Sequence, residues 1–127
     1  MLSLQFPKLW LGLGWLLVIA VFVGSLLPLP AYPIEALASD KLVHFCSYLI
    51  LTIWFGGLYG KPRNYVAIAA IMIAFGAALD LLQGLSSTRQ FDMLDILANT
   101  AGAFVGFVAL WLLLGGWCRA VERWITT

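Results

Sequence analysis

The sequence predicts an all-α membrane protein, a four-helix transmembrane bundle with short loops and both termini on the cytoplasmic side. Three observations predict it. Of the 127 residues, 63% are hydrophobic and only 10% are charged, whereas a soluble domain carries about 25% charged residues. The apolar residues fall into four runs, near 9–27, 42–59, 65–85 and 93–117. Each is close to the roughly 20 residues a helix needs to cross the hydrocarbon. The breaks between the runs carry turn chemistry and much of the charge. With so little polar surface, residues 1–127 read as a single membrane domain.

The first run ends at Pro28, Pro30 and Pro33, because proline lacks a backbone donor and disfavours a helical residue before it. A cleaved signal peptide is the alternative to a retained first span. The apolar run is long for one, only Lys8 precedes it, and no small-x-small cleavage site follows, so a retained span is expected. The connection 28–40 is the longest, with room at 34–38 for one turn lying on the interface. Gly60-Lys61-Pro62-Arg63-Asn64 makes a polar hairpin between the second and third runs. Ser86-Ser87-Thr88-Arg89-Gln90 separates the third from the fourth.

Lysine and arginine in short loops set orientation. Lys8, Lys61, Arg63, Arg119 and Arg123 fall at the amino terminus, the middle hairpin and the carboxy terminus. An even number of spans puts these on one side, the cytoplasm. Glu35, Asp40, Asp80, Asp92 and Asp95 then lie in the outer half, so the charges segregate although the net charge is only +1. That small charge gives no reason to expect nucleic acid. Cys46 and Cys118 lie toward opposite faces and read as packed apolar thiols.

The chemistry concentrates in one window, 80–99, reading DLLQGLSSTRQFDMLDILAN. Ionisable groups among lipid-facing helices are costly and mark a functional site by default. Helical spacing places Asp40, His44 and Tyr48 on one face of the second span, with Lys41 beside them. Asp80 and Gln83 are three apart on the third, and Asp92, Asp95, Asn99, Gly102 and Gly106 form one stripe on the fourth. Ala98, Gly102 and Gly106 make a small-xxx-small seam, and the third span offers a matching run of Ala67, Ala70, Ala74 and Ala78. From the rise per residue, Asp80 lies roughly 9 Å below the outer loop and Asn99 roughly 10 Å below it. The expectation is a polar pocket opening to the outer leaflet.

Each member also has a plainer reading. Asp92 suits the N-cap of the fourth helix with Asp95 in its first turn, and Ser39 or Asp40 suits the cap of the second. Arg89 can snorkel or neutralise one aspartate, Asn99 can link helices, and His44 can be a packed, hydrogen-bonded core residue. Asp80 resists a plain reading, since it is no cap and nothing in its own helix can pair with it.

These residues resemble the VanZ-like family. Its pattern is an acid and a glutamine three apart, then Arg-x-Phe-Asp-x-x-Asp-x-x-x-Asn-x-x-Gly-x-x-x-Gly. Here it stands as Asp80, Gln83, Arg89, Phe91, Asp92, Asp95, Asn99, Gly102 and Gly106, and Asp40-Lys41-x-x-His44-Phe45-x-x-Tyr48 is similar to the family's second-span block. The likeness runs from about residue 25 to 106, with aspartate at position 80 where the family usually has glutamate. It implies a bacterial cell-envelope setting, hence the cytoplasmic (inner) membrane, with a role related to glycopeptide (teicoplanin) resistance, while the loop charges put the polar site on the extracytoplasmic side.

Three functions fit the residues. The first is binding or modulation of an outer-leaflet lipid headgroup or amphiphilic ligand, such as a lipid-linked cell-wall intermediate or a glycopeptide. Lys41, His44, Tyr48, Asp80, Gln83, Arg89, Asp92, Asp95 and Asn99 would bind it. The second is an enzyme acting on a lipid-linked phosphate or glycolipid, with Asp80, Asp95 and His44 as acid–base groups or metal ligands and Arg89 with Lys41 as phosphate clamp. The third is a structural subunit of a membrane assembly, and self-association suits so small a bundle. At the outer end Glu35, Asp40, Asp80, Asp92 and Asp95 outnumber Lys41 and Arg89, so a phosphate enzyme would need a divalent cation or protonated carboxylates, and oxygen ligands with one histidine favour magnesium, calcium or manganese.

Overall fold

The computed structural model of the chain describes residues 1–27, 35–87 and 90–126, with backbone only for 35–39. It is all helical, with no strand among the described residues. The helices are α1 (Pro7–Leu26), α2 (Glu35–Gly57), α3 (Pro62–Gly84), α4 (Met93–Ala109) and α5 (Trp117–Ile125). A π-helical turn, Leu110–Leu114, prolongs α4.

Three helices are long and apolar enough to cross a membrane: Pro7–Leu26, Pro62–Gly84 and Met93–Leu114. α2 has the length, 23 residues, but Asp40, Lys41 and His44 lower its hydropathy. The reason is its position. α2 is the axis of the bundle and packs mainly on α4, and between residues 42 and 59 only Leu42, Val43 and Ile50 are exposed. His44, Tyr48 and Thr52 therefore face protein. The helix begins at Glu35, so residues 35–38 of the expected interfacial turn belong to α2, and position 34 lies outside the described residues. Asp40 lies in its second turn, and neither Asp40 nor Ser39 caps it.

Glycines set the packing. A Cβ on Gly102 would run into the carbonyl oxygen of Phe45, and one on Gly106 would lie 3.1 Å from that of Leu49. The α4 seam thus meets the backbone of α2. The run Ala67, Ala70, Ala74 and Ala78, which the sequence matched to that seam, faces outward instead. α3 buries the opposite stripe, including Ile68, Met72, Gly76, Leu79, Asp80 and Gln83. Gly76 lets α3 close on Asn99 and Tyr48.

α1 is peripheral. It is apolar all round, as a helix facing lipid should be, and buries only Gly14, against Trp54 and Phe55.

The fourth apolar run stops earlier than its composition suggests, at Leu114. Gly116 adopts φ +71°, a left-handed conformation that glycine tolerates without steric cost. The chain reverses there into α5, a short amphipathic helix absent from the sequence reading. α5 buries Cys118 and Glu122 and turns its remaining charges outward. Trp117 Nε1 donates to the Ile53 carbonyl (2.9 Å), and the rings of Trp10, Trp54 and Trp117 pack with centroids 5.3–5.5 Å apart.

Glu122 joins the two ends of the chain. Its carboxylate accepts from the N–H groups of Gln5 (2.6 Å) and Phe6 (3.0 Å) and from Trp10 Nε1 (2.8 Å). α1 has no side-chain cap of its own and opens on Pro7, so α5 satisfies donors that an α-helix leaves free at its start. Burial alone would push the Glu122 carboxyl up, but the Gln5, Phe6 and Trp10 hydrogen bonds hold it below its usual range. Its contribution is therefore present above the unfolded carboxyl pKa, about 4.3, and is lost as pH falls through the depressed folded value. Glu122→Gln is expected to lower the thermal midpoint in detergent at pH 7 and to flatten the wild type's acid-side decline. Equal midpoints at both pH 7 and pH 4 would show that α5 does not hold α1.

Candidate functional site

The end of the bundle away from these termini holds the polar window. α2 supplies Asp40, Lys41, His44 and Tyr48, α3 supplies Asp80, and α4 supplies Asp95 and Asn99 after Asp92. Asp92 caps α4 as its sequence position suggests, accepting from Leu94 N–H at 2.9 Å, and Asp95 sits in the first turn. Helix starts favour carboxylates there, so local structure delivers two acids to the same corner.

Lys41 reaches across from α2 to both of them. Its Nζ bonds Asp92 Oδ2 at 2.5 Å and also bonds Asp95 Oδ1, while Asp40 Oδ2 stands 3.9 Å away. The Lys41 ammonium, followed by the Leu94 N–H, holds the Asp92 carboxyl below the usual carboxylate range. This ionic layer is the site's edge toward solvent. The side chains of Asp92, Asp40 and Lys41 are 37%, 23% and 22% exposed, but that of Asp95 only 5%.

Beneath it lies a buried chain of hydrogen bonds. His44 Nδ1 lies 3.0 Å from Asn99 Oδ1, which can only accept, so His44 donates from Nδ1. Asn99 Nδ2 in turn donates to Asp80 Oδ2 at 2.8 Å. The other ring nitrogen, His44 Nε2, faces Asp40 Oδ1 at 3.8 Å and Asp95 Oδ2 at 3.9 Å. Asp80, Asn99, His44 and Asp95 are all buried. Tyr48 closes the inner end. Its hydroxyl is buried, lies within electrostatic range of Asp80 and makes no hydrogen bond within the described structure.

Most of the sequence-derived residues therefore converge. Lys41, Asp92 and Asp95 form the upper layer, with Asp40, and His44, Tyr48, Asp80 and Asn99 the lower. Gln83 goes elsewhere: its Nε2 donates to the Ser25 carbonyl at 2.8 Å and ties α3 to α1. Arg89 lies outside the described residues. The expected phosphate clamp of Arg89 and Lys41 also meets the fact that Lys41 is held by two carboxylates.

Among the described residues a different trio from the expected Asp80, Asp95 and His44 could hold a metal ion. Asp40, His44 and Asp95 offer ligand atoms all within 4.8 Å of one another, whereas Asp80 reaches His44 through Asn99. A cation there would compete with the Lys41 ammonium for Asp95. Asp40 was legible as part of the second-span face. Glu122, by contrast, gave no signal, because its role depends on an α5 that the apolar run concealed.

No protein-family model matches the chain, and no solved structure matches it. The chain is similar to an uncharacterized protein of Schizosaccharomyces pombe, 29% identical over 90 residues, which cover 68% of this chain and 52% of that protein. The chain thus spans about half the length of the curated relative it matches.

Proposed function

We propose that the chain is a four-span membrane protein that binds the polar head of a lipid or other amphiphile at the end of the bundle bearing Lys41 and Asp92. The observation that supports this is the ionic layer itself. Four charged side chains, with a histidine beneath them, are gathered at one end of helices otherwise apolar outside and reach solvent through Asp92, Asp40 and Lys41, a costly arrangement without a polar ligand to serve. α2 completes the four spans, because its 23 residues reach roughly 34 Å and its polar face is turned inward. The basic residues at the opposite end make that end cytoplasmic and this site extracytoplasmic.

Charge narrows the ligand. Asp40, Asp92 and Asp95 against Lys41 leave the layer acidic, so it suits a head carrying an ammonium. The VanZ-like resemblance supplies the setting we favour, a bacterial inner membrane, where a lipid-linked cell-wall intermediate or a glycopeptide has this amphiphilic character.

The Asp40–His44–Asp95 grouping favours a second reading, a metal-assisted enzyme on a lipid-linked phosphate. Magnesium, calcium or manganese would be held by those three residues and would supply charge neutralisation of the phosphate. His44 would offer the ion the lone pair of Nε2, with its Nδ1–H fixed by Asn99.

Mass spectrometry of the protein released from native-lipid discs separates these readings. A co-purifying amphiphile that is lost in Asp95→Asn, with no stoichiometric metal, is expected. A stoichiometric divalent ion lost in both Asp40→Asn and Asp95→Asn would replace binding with the enzyme reading. Identical lipid and metal content in wild type and both variants would leave only a structural role.

A further inference from the structure

A second feature lies at the opposite end of the bundle and owes nothing to the polar window. α1 and α3 are tied at one end by Gln83 and Ser25, and toward the other they enclose a groove of about 450 Å3 over the face of α2. Ligand sites of small molecules typically occupy roughly 300–1,000 Å3. Trp15 and Val18 form one wall, Ile71 and Phe75 the other, and Tyr59 and Asn64 bring hydrogen-bonding groups to the end nearest the α2–α3 connection.

Two further observations say what would fill it. From Asn64 to Phe75 the wall rises roughly 16 Å along α3, about the depth of one leaflet in a hydrocarbon core of roughly 30 Å. The groove therefore has the length and polarity profile of a single lipid tail with its head at the Tyr59 and Asn64 end. That end is also cationic. Lys61 and Arg63 lie in the hairpin between Tyr59 and Asn64, both exposed, and Lys8 starts α1 at the same end, where Leu2 N–H bonds the Leu58 carbonyl at 2.7 Å.

We propose that this groove is a binding site for an anionic glycerophospholipid of the leaflet at the basic end. One acyl chain lies between α1 and α3, and Lys61 and Arg63 hold the headgroup phosphate. The cations also explain why the groove should select among lipids, since zwitterionic and anionic lipids share the same tails. Only the head distinguishes them.

The test uses the full chain, delipidated and reconstituted with equimolar dioleoyl-phosphatidylglycerol and dioleoyl-phosphatidylcholine, with retained lipid read by native mass spectrometry. Roughly tenfold or greater enrichment of phosphatidylglycerol on the protein is expected from two cationic side chains at the membrane surface. Lys61→Gln/Arg63→Gln is expected to abolish the enrichment while leaving some lipid bound. Ala67→Trp, which adds bulk to the outward face at the groove wall, is expected to lower the total retained several-fold. Equal retention of the two lipids, or enrichment that survives in the double variant, would overturn the headgroup assignment. Retention unchanged in Ala67→Trp would overturn the groove, and should that variant fail to fold, Ile71→Phe at the same exposed wall carries the same test. The Asp95→Asn variant is expected to keep this enrichment, so failure here and failure of the acidic site are separately visible.

Discussion

Gly102→Val should separate α2 from α4 and lower stability by about 3 kcal/mol or more. The obstacle is a backbone atom. A Cβ on Gly102 would overlap the Phe45 carbonyl oxygen and crowd the Leu49 N–H, and neither can rotate away as a side-chain end would. Overpacking usually costs about 1–3 kcal/mol. Here the helices must part, and the polar network lies directly in their seam. Asn99 is one turn before Gly102 and bonds both His44 and Asp80. Each buried polar group left without its partner adds about 1–3 kcal/mol. Gly12 is the control, since a side chain there meets nothing within 4 Å. Gly12→Ala is expected to be neutral or to stabilise by up to about 1 kcal/mol from helix propensity alone. Steric-trap or detergent unfolding of the two variants measures the contrast. Equal stabilities would mean that the α2–α4 crossing is not set by the glycine seam.

What the residues disclosed and what they hid follows from helix geometry. Periodicity fixes which residues share a face, so the Asp92–Asp95–Asn99–Gly102 stripe and the Asp40–His44 face were legible. It does not say which helix a face meets. A glycine seam on one helix and an alanine run on another look like natural partners, yet the seam meets the backbone of α2 and the alanines face outward. Asp80 and Gln83 show the same limit at finer scale. Three residues apart, they differ by about 60° around the helix, enough for one to face α4 and the other α1. α5 was hidden for a different reason: the hydrophobic run through Leu114 to Trp117 looked continuous, and the extended Gly115 and left-handed Gly116 break it. The amphipathic pattern that follows, with Cys118 and Glu122 buried, became meaningful once that break was known.

Lys41→Met should be nearly as damaging as the glycine substitution, and for electrostatic reasons. Lys41 is the cation that Asp92 and Asp95 share, but the two aspartates depend on it unequally. Asp92 is more than a third exposed and also accepts from Leu94 N–H, so water and its cap sustain it, and an exposed pair contributes little. Asp95 is 4% exposed, and without the ammonium its nearest ionisable neighbour is His44 Nε2 at 3.9 Å. Removing one partner of a buried pair costs about 3–5 kcal/mol, because the remaining charge is left uncompensated. The same reasoning supplies the rescue. Lys41→Met/Asp95→Leu, which removes both charges and keeps apolar volume, should return to within about 1 kcal/mol of wild type, since buried pairs replaced by packed apolar groups are often neutral. Acid distinguishes the exposed pair from the buried one. The depressed Asp92 carboxyl stabilises the wild type above the unfolded aspartate pKa, about 3.9, and loses that contribution as pH falls through its lower folded value. Lys41→Met should weaken this Asp92-linked slope without abolishing it, because the ammonium is the main cause of the depression and the Leu94 N–H remains. If unfolding shows Lys41→Met and Asp92→Asn to be equally mild, the Lys41–Asp95 contact contributes no more than a surface pair. If the double variant is no better than Lys41→Met alone, the loss came from packing and the electrostatic account fails.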